Sequence, residues 1–368
     1  MKVAHIVWSL KYGGIETMLV DIVNEQVKHC EVRVYIINDH YDKRLLQTID
    51  PEVKVLLINR QPGSKNIIPL LKLNLSLLRF KPNVIHCHQG NLVKALWLSW
   101  RKVLTIHNTY CSSAYFRHYQ RLFCISKAVK DYTTSQGFHN GIVVYNGVHP
   151  ERIAVKEYSG STSGGALKTV CLGRLHPDKG QRILIKALDN LVNSRHLINI
   201  TCDLIGDGDG KVELEKMVAQ CNLAEQIKFV GFRSREWIYS HLKDYDLLIM
   251  PSVSEGFGLT LAEACDAKLP VITSDLSGPL EVIAGGRLGI VFRHGDSMDL
   301  ADKLYQFTIN PIDQSVIEEA YLFSTTHFDV TKTAQQYIYQ YKELLNTQKK
   351  VPNGNKGVCY PFGINTME

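Results

Sequence analysis

The sequence contains no apolar run of the roughly 18 residues that a membrane-spanning helix requires. Its first apolar run, Val3–Trp8, is too short and too soon followed by polar residues to be a signal peptide. The nine cysteines are odd in number and form no C-x-x-C pair. That usage is typical of buried thiols in a reducing compartment rather than of a disulfide framework. We therefore expect a cytoplasmic protein that is not an integral membrane protein.

Acidic residues are nearly missing from one long stretch of the chain. Between Arg60 and Pro150 there are twelve Lys and Arg residues but one acid, Asp131. This segment carries a net charge of +11, so the remainder carries −5 within a total of +6. Such an asymmetry predicts an anionic partner for the N-terminal half of the chain. Nucleic acid and an anionic membrane surface are the two candidates.

The rest of the composition, with 45% hydrophobic and 21% charged residues, is that of a soluble globular protein. A length of 368 residues suits two domains. The Gly/Ser-rich stretch 159–165 predicts a flexible linker between them. We therefore predict domains over 1–158 and 166–328, and a disordered tail over 347–368.

Short apolar runs alternate with longer helical patterns in both predicted domains, which indicates an α/β fold with parallel sheets covered by helices on both faces. Two doubly wound domains of this kind enclose a cleft in which ligands meet the carboxyl ends of the strands. The predicted strands are 3–8, 32–37, 53–58, 84–87, 103–106, 169–172, 199–205, 227–230, 247–250, 271–273 and 289–291. The predicted helices are 14–27, 67–80, 180–194, 211–222, 234–243, 260–267 and 330–345.

The segment from Glu255 to Glu263 carries the strongest chemical pattern. It follows the predicted strand 247–250 and enters a helix after two glycines. Glycine lets the backbone approach a ligand closely, and a helix start offers free N–H groups and a positive dipole end to an anion. Carboxylates beside such a site would repel phosphate, so the two acids are expected to accept hydrogen bonds from sugar and ribose hydroxyls. A strand–turn–helix joint with surface acids is the structural alternative.

Together with the flanking sequence 268–273, this E-x7-E pattern resembles the retaining GT-B glycosyltransferases of family 4. The resemblance implies two Rossmann-like domains, the first binding the acceptor and the second the nucleotide sugar, with a helix over 329–346 that crosses back to the first. By the same resemblance, Glu255 would bind the donor sugar and Glu263 the ribose. Contacts to the sugar and the diphosphate would come from the backbone amides of Phe257, Gly258, Leu259 and Thr260.

A second motif follows the first strand of the second domain. Arg174 and Lys179 lie five residues apart across a turn that contains Pro177, so both cationic groups can converge on one anion. Two solvated basic residues in a loop are the alternative. The family's diphosphate-binding pattern G-R-L-x-x-x-K-G is matched from Gly173 to Gly180. The resemblance therefore implies that these residues bind the donor diphosphate.

The first domain supplies weaker signals at the ends of its strands. Gly13 and Gly14 follow the first strand and open a helix, but they do not form the G-x-G-x-x-G dinucleotide fingerprint. They resemble the family's N-terminal glycine loop, which approaches the donor phosphates. His107 matches the family's histidine near the transferred sugar, where it would orient the donor and assist the acceptor hydroxyl. A buried, hydrogen-bonded histidine is the alternative.

Further loops are expected at the nucleotide. By resemblance, Gly206 lies in the family's Gly-Asp-Gly loop near the nucleotide, and Phe232 and Arg233 border the base. Ser126 and Asn146 also match family motifs beside the cleft. The family usually has an acid after the Asn-Gly-Val motif, whereas His149 stands here, which leaves the contact of that loop open.

Two patterns could indicate a metal, and neither is expected to bind one. Alternate strand residues point to opposite faces, so Cys87 cannot join His86 and His88 in one site. Asp207 and Asp209 form a D-x-D pattern, which binds the donor metal in a different glycosyltransferase fold. Here they belong to the Gly-Asp-Gly loop, and basic residues with a helix end already neutralise the diphosphate. We therefore predict no metal and no cofactor, with the nucleotide sugar as substrate.

The predicted helix 67–80 has a basic stripe. Lys65, Lys72 and Arg79 are spaced by seven residues and fall on one face, since seven residues make about two helical turns. The other face carries four aliphatic residues: Ile68, Leu71, Leu75 and Leu78. A core-packed helix with a solvated basic face is one interpretation, and a helix that holds the domain against anionic lipid is the other.

The resemblance predicts transfer of a hexose or N-acetylhexosamine from a nucleotide diphosphate sugar, UDP by family frequency, to a glycan acceptor in surface polysaccharide synthesis. A lipid-linked acceptor would suit a protein that lies peripherally on the inner face of the membrane. Three alternatives are a nucleotide-sugar epimerase or hydrolase of the same fold, a non-catalytic nucleotide-sugar-binding subunit, and a nucleic-acid-binding protein. The last lacks any recognition motif, so we expect no nucleic-acid partner.

Overall fold

The computed structural model describes residues 1–158, 166–197 and 199–347. The predicted linker at 159–165 lies outside these ranges, and so does the predicted tail beyond Thr347. All eight cysteines within the described ranges are free thiols.

A seven-stranded parallel sheet forms the N-terminal part. Its strand order is β3-β2-β1-β4-β5-β6-β7. Apolar strand residues such as Ile6 and Ile85 are fully buried, because helices cover both faces of the sheet. The elements in chain order are β1 (Lys2–Val7), α1 (Gly14–Val27), β2 (Glu31–Asn38), α2 (Lys43–Gln47), β3 (Lys54–Arg60), α3 (Ile68–Phe80), β4 (Val84–Cys87), β5 (Lys102–Ile106), β6 (Arg121–Cys124), α4 (Lys127–Ser135) and β7 (Gly141–Val143).

A six-stranded parallel sheet of order β10-β9-β8-β11-β12-β13 forms the C-terminal part. Its core contains Leu204, Leu247 and Ile272, each fully buried. Its strands are β8 (Leu167–Leu172), β9 (Ile200–Ile205), β10 (Ile227–Gly231), β11 (Leu247–Met250), β12 (Val271–Ser274) and β13 (Ile290–Phe292). Its helices are α5 (Gln181–Asp189), α6 (Lys211–Gln220), α7 (Arg235–His241), α8 (Leu259–Asp266), α9 (Ser277–Val282), α10 (Ser297–Ile309) and α11 (Gln314–His327).

The last helix, α12 (Val330–Thr347), packs along α1 of the N-terminal part. Tyr337 and Tyr341 on this helix are fully buried there. The hydroxyl of Tyr341 lies 2.6 Å from Nδ1 of His86. Among the described residues, no helix combines the length and apolarity that crossing a bilayer needs.

The predicted fold class is confirmed: two doubly wound sheets lie with their strand ends toward each other. The sequence prediction lacked the short strands β6 and β7 and five of the helices: α2, α4, α9, α10 and α11. It also ran helix 180–194 as one element. The structure ends α5 at Asp189 and continues with a π-helical turn to Ser194.

The core-packed interpretation of helix α3 is wrong for its aliphatic stripe. The four residues of that stripe are 43–56% exposed: Ile68, Leu71, Leu75 and Leu78. The residues that face the core are instead Leu73, Leu77 and Phe80, a narrower stripe at the spacing of helical turns. Because α3 packs on the edge strand β3 and its neighbour β2, one side of the helix is enough to cover the sheet there. Its second apolar stripe is left to solvent beside the exposed Lys72 and Arg79.

Candidate active site

The loop between β11 and α8 crosses the space between the two parts of the molecule. Gly258 is the N-cap residue of α8 and has a φ of 108°, a left-handed conformation that favours glycine. A Cβ at Gly256 would lie 2.5 Å from the carbonyl oxygen of His107, which follows β5 in the other sheet. The first N–H groups of α8 have no intrahelical partner and carry the positive end of the dipole. This loop therefore presents an anion-binding helix start to the cleft.

The side chains of this loop fall into two groups. Phe257 is 1% exposed and packs against Tyr145 and Phe328, so its backbone alone is available to a ligand. Leu259 is partly exposed, and the hydroxyl of Thr260 lies 3.5 Å from the sulfur of Met250. This arrangement suits the backbone contacts predicted for residues 257 to 260.

Glu255 is paired with a cation from the second motif. Lys179 Nζ donates to Glu255 Oε2 over 2.6 Å, and the two side chains are 32% and 18% exposed. The sequence motif predicts that Lys179 and Arg174 converge on one anion. It contains no sign that Lys179 forms an ion pair with Glu255. The pair fixes the ammonium group directly beside the loop that leads to α8. Charged hydrogen bonds of this length are among the stronger ones in proteins.

The two glycine loops of the C-terminal sheet pack against each other. A Cβ at Gly206 would lie 2.0 Å from the carbonyl oxygen of Gly173, so a side chain cannot be placed there. Leu175 donates its N–H to the carbonyl of Asp207 over 3.0 Å. The Arg174 side chain lies close enough to Glu16 of α1 to influence its titration. Burial raises the pKa of Glu16, and Lys11 and Arg174 oppose that shift.

Glu263 lies inside α8 and is 7% exposed. Its Oε1 is 3.8 Å from Nε of Arg235, at the start of α7. The Nη1 group of Arg235 donates to Oδ2 of Asp21, which belongs to α1 of the N-terminal part. Burial raises the pKa of Glu263 to about 7, while Arg235 acts to lower it. Burial also acts to raise the pKa of Asp21, but Arg235 and His149 hold it below its usual value.

On the N-terminal side, the glycine loop meets the start of α8. Gly13 is the N-cap residue of α1. A Cβ at Gly14 would lie 3.8 Å from Leu259, so this loop faces the residue that begins α8. Two helix starts, those of α1 and α8, are thus adjacent.

His107 lies at the same place, with its backbone against Gly256. Its Nε2 atom is buried and accepts or donates no hydrogen bond within the described residues. Its ring stacks on that of His88, with centroids 5.8 Å apart. Burial lowers the pKa of His107 to about 4, so the ring is neutral near pH 7. A neutral imidazole can accept a proton or orient a hydroxyl.

The loop predicted to border the base contains an aromatic and cationic group. The Phe232 ring meets the Tyr12 ring edge-on, with centroids 4.7 Å apart. Arg44 of α2 lies over Phe232 at 4.8 Å, and Arg233 lies over Trp237 at 5.5 Å. Phe232 and Arg233 are therefore at the cleft opposite the N-terminal glycine loop. Tyr12 and Arg44 belong to this group and were not indicated by any sequence pattern.

Three buried histidines have ring nitrogens within 4.8 Å of one another: His5, His86 and His88. Both nitrogens of His5 are engaged, with His88 at 3.1 Å and Gln26 at 2.8 Å. Both nitrogens of His86 also have partners, Tyr341 and Thr105, at 2.6 Å each. His5 and His86 therefore belong to a hydrogen-bonded core network, whereas Nδ1 of His88 is buried without a hydrogen-bond partner among the described residues. The sequence prediction that no metal binds at these histidines or at the exposed Asp207 and Asp209 stays a prediction.

The remaining loop candidates lie between the two parts of the molecule. Ser126 Oγ donates to the carbonyl of Gly256 over 2.7 Å. Asn146 is buried, and its Oδ1 has no partner within the described ranges. His149 contacts Asp21 at 3.6 Å and Glu151 at 3.0 Å, so its loop faces α1.

The sequence reasoning missed the Asp21–Arg235 contact. Asp21 stands between apolar residues of α1, in the run Leu19-Val-Asp-Ile-Val23, and an acid in such a run is the local signal for a buried ion pair. It would not have identified the partner, because Arg235 is more than two hundred residues away.

Comparison with known proteins decides the family. The model for Glycosyltransferase Family 4 matches residues 12–152, and the model for Glycosyl transferases group 1 matches residues 160–322. The chain belongs to the family 4 (group 1) glycosyltransferases of the GT-B fold. It is therefore a glycosyltransferase, as the sequence motifs predicted.

Three similar proteins match most of this chain and most of their own length. An uncharacterized glycosyltransferase of Methanocaldococcus jannaschii is 26% identical over 81% of this chain and 85% of its own. The lipopolysaccharide 1,6-galactosyltransferase of Salmonella typhimurium is 24% identical over 83% and 89%. The structure of Anabaena Alr3699/HepE in complex with UDP and glucose superposes with a TM-score of 0.78 at 22% identity, over 93% of this chain and 99% of the other. At that identity the likeness establishes the fold.

Proposed function

We propose that this glycosyltransferase moves a hexose or N-acetylhexosamine from a UDP-sugar to a glycan acceptor, with retention of anomeric configuration. The observation that carries the proposal is the Lys179–Glu255 pair, which lies beside the start of α8 in the loop whose Gly256 contacts the backbone of His107. A cation and a helix start suit a diphosphate, and a carboxylate suits sugar hydroxyls. The Anabaena structure that holds UDP and glucose supports the choice of donor.

The chemistry follows from where charge develops. When the sugar–phosphate bond breaks, negative charge accumulates on the leaving diphosphate. Arg174, Lys179 and the first N–H groups of α8 would stabilise that charge, which is the main source of catalysis in such sites. Glu255 would hold the sugar hydroxyls and thereby fix the sugar over the diphosphate. His107 would orient the incoming acceptor hydroxyl and take no full charge, because its pKa is lowered to about 4.

We propose that the reaction needs no metal ion, since cationic side chains and a helix dipole would already neutralise the diphosphate. Asp207 and Asp209 are exposed and belong to the loop that packs on Leu175. Transfer that persists in EDTA is the expected result. Activity restored only by added Mg²⁺ or Mn²⁺ would contradict it.

The acceptor is proposed to be a lipid-linked glycan of a surface polysaccharide. The Salmonella typhimurium relative acts on lipopolysaccharide, which supports this acceptor class. The exposed aliphatic stripe of α3 lies beside Lys72 and Arg79, and Lys65 precedes the helix on the surface. An amphipathic helix with basic flanks binds anionic lipid through both apolar contact and charge. The protein would then lie peripherally on the cytoplasmic face of the membrane.

The main experiment measures donor recognition before transfer. Thermal-shift screening with UDP-, GDP- and ADP-sugars is expected to give the largest stabilisation with a UDP-sugar. The best donor, radiolabelled in the sugar, is then incubated with membrane glycolipids, and the anomeric configuration of the product is read by NMR. Free sugar or an isomeric nucleotide sugar released without acceptor would support the epimerase or hydrolase alternative instead.

The membrane part of the proposal has its own experiment. Sedimentation with vesicles of phosphatidylcholine, with and without phosphatidylglycerol, is expected to show binding only to the anionic vesicles and less binding at high salt. Binding that ignores both lipid charge and salt would exclude this surface as an electrostatic membrane contact.

A further inference from the structure

Three buried charged side chains connect the two halves of the molecule beside the predicted ribose site. Asp21 comes from α1, Arg235 from α7 and Glu263 from α8, and their side chains are 7%, 12% and 9% exposed. Arg235 lies between the two acids, donating from Nη1 to Asp21 and placing Nε 3.8 Å from Glu263. Within the described residues, Arg235 is the one cationic side chain that approaches Glu263 within 4 Å.

The planar guanidinium group suits this position. It offers donors in fixed directions, so one edge can be held by Asp21 while Nε faces Glu263. The guanidinium group also lies over the ring of Tyr239, with 5.5 Å between its carbon atom and the centre of that ring. Tyr12, from the glycine loop, contacts the backbone of Arg235 through its hydroxyl. Contacts from both halves of the molecule therefore fix the direction of the Arg235 side chain.

Glu263 depends on this arrangement for its charge. Burial alone would protonate a carboxyl group at this depth, and Arg235 is the first cause that acts in the opposite direction. A protonated carboxyl group accepts hydrogen bonds from hydroxyls more weakly than a carboxylate does. The strength of Glu263 as an acceptor is thus linked to Arg235.

Arg235 depends in turn on the opposite domain. Asp21 lies on α1, the helix that begins at the glycine loop facing Leu259. If the two domains separate, Arg235 loses Asp21 and no longer has a fixed position beside Glu263. Helix α1 would therefore take part on both sides of the cleft: its N-terminus lies at the predicted phosphate site, and its Asp21 lies at the predicted ribose site.

We propose that Arg235 is a positioning residue for nucleotide recognition, which Asp21 of the opposite domain holds in place so that Glu263 can accept the ribose hydroxyls. This inference rests on the proposed function, because it assumes a ribonucleotide donor. It adds that ribose recognition depends on the closed arrangement of the two domains.

The experiment compares UDP with 2′,3′-dideoxy-UDP by isothermal titration calorimetry on the full chain. The wild-type protein should bind UDP at least about tenfold more tightly, because charged hydrogen bonds to the two hydroxyls are lost with the analogue. Arg235→Gln and Asp21→Asn should bring that ratio close to one, while Arg235→Lys should restore part of it. A double variant Arg235→Gln/Glu263→Gln should show the same ratio as Glu263→Gln alone, since both changes remove one interaction.

The matched control is Asp302→Asn, which breaks an ion pair between Arg195 and Asp302 of α10. It should keep the wild-type ratio. Circular dichroism and thermal unfolding identify variants that fold, and Asp21→Asn keeps the size of the side chain if Arg235→Gln does not fold. Folded variants of Asp21 and Arg235 that retain the wild-type ratio would overturn the inference. Failure of the wild-type protein to bind UDP at all would instead overturn the proposed function.

Discussion

The two sheets of this glycosyltransferase share one topology but present different chemistry at the ends of their strands. The C-terminal cleft face carries charged side chains in defined pairs, Lys179 with Glu255 and Arg235 with Glu263. Opposite the start of α8, the N-terminal cleft face presents backbone from a glycine loop and the neutral ring of His107, while its Asp21 contacts Arg235 further along the cleft. The excess positive charge of the N-terminal half lies instead on exposed side chains such as Lys72.

This difference separates two kinds of recognition. A diphosphate and its sugar have fixed charges and hydroxyls, so a rigid set of paired side chains can bind them. An acceptor that is carried on a surface needs only approach and orientation at the cleft, and a charged outer surface can supply the approach. Donor recognition therefore depends on particular side chains, whereas acceptor recognition depends on the overall charge of a surface.

The largest loss of transfer activity is expected for Glu255→Ala. We expect kcat for transfer to fall by about 10²–10³-fold. The hydroxyls of the donor sugar lose the carboxylate that accepts their hydrogen bonds, and Lys179 loses the partner that fixes its ammonium group. Initial rates with saturating donor measure the effect. Glu318→Ala is a matched control, since Glu318 forms a Lys–Glu pair of the same 2.6 Å with Lys268 elsewhere. Near-normal transfer by a folded Glu255→Ala variant would refute the assignment of this acid.

Replacing the cation of the same pair should have a smaller effect. Lys179→Met removes one charged hydrogen bond to the diphosphate but leaves Arg174 and the start of α8, so kcat/KM should fall by about ten- to a hundredfold. UDP affinity and kcat measured together show whether the loss occurs in binding or in leaving-group stabilisation. Lys268→Met serves as the control. If Lys179→Met impaired transfer no more than its control, the diphosphate role of Lys179 would be wrong.

How far the sequence predicts the molecule also differs between the two halves. Helix 14–27 and strands 84–87 and 247–250 were predicted with the bounds that the structure has, because the helix follows a glycine and repeats apolar residues at helical spacing, and each strand is a short, mostly apolar run between polar residues or proline. The donor motifs were found because each is continuous in sequence. The ion pair between Lys179 and Glu255 was not, since it joins two motifs 76 residues apart.

The exposed stripe of α3 could not be predicted for a different reason. A helix with two apolar stripes gives no local sign of which one faces the sheet. The choice of Leu73, Leu77 and Phe80 follows from the position of α3 over β2 and β3, which is a property of the whole sheet. The spacing of apolar residues predicts that α3 is a helix, whereas the packing of the sheet determines which of its sides is buried.

A pH series can sharpen the contrast between the two cleft faces. Since the pKa of Glu263 is raised to about 7, it is ionised above that pH and protonated below it. Affinity for UDP-glucose should therefore fall about tenfold from about pH 8 to about pH 6, whereas His107, with a pKa of about 4, contributes no change. UDP-glucose is used because its diphosphate does not titrate in this range.

The variant Glu263→Gln is the control for this series. Its affinity should be lower at about pH 8 and nearly independent of pH. Burial acts to lower the pKa of His149 but Asp21 raises it, and burial raises the pKa of Asp266 to about 7, so protonation of these two groups can also contribute. The difference between wild-type protein and Glu263→Gln removes their contribution. Parallel pH profiles for the two proteins would show that Glu263 does not control the affinity.

The smallest effect on donor binding and transfer is expected for changes on the outer surface of the N-terminal half. Lys72→Glu should weaken binding to anionic vesicles by no more than roughly a factor of thirty, because each charge near such a surface contributes about 1 kcal/mol and the substitution reverses one. Leu75→Ser should weaken it through lost apolar contact, and the loss should persist at high salt, unlike that of Lys72→Glu. Val212→Ser, at an aliphatic residue on α6 of the other half that is 62% exposed against 43% for Leu75, should leave vesicle binding unchanged. UDP-sugar affinity should stay at the wild-type value in all three variants. If the two α3 variants bound vesicles as the wild-type protein does, the basic, apolar surface would have to meet a partner other than lipid.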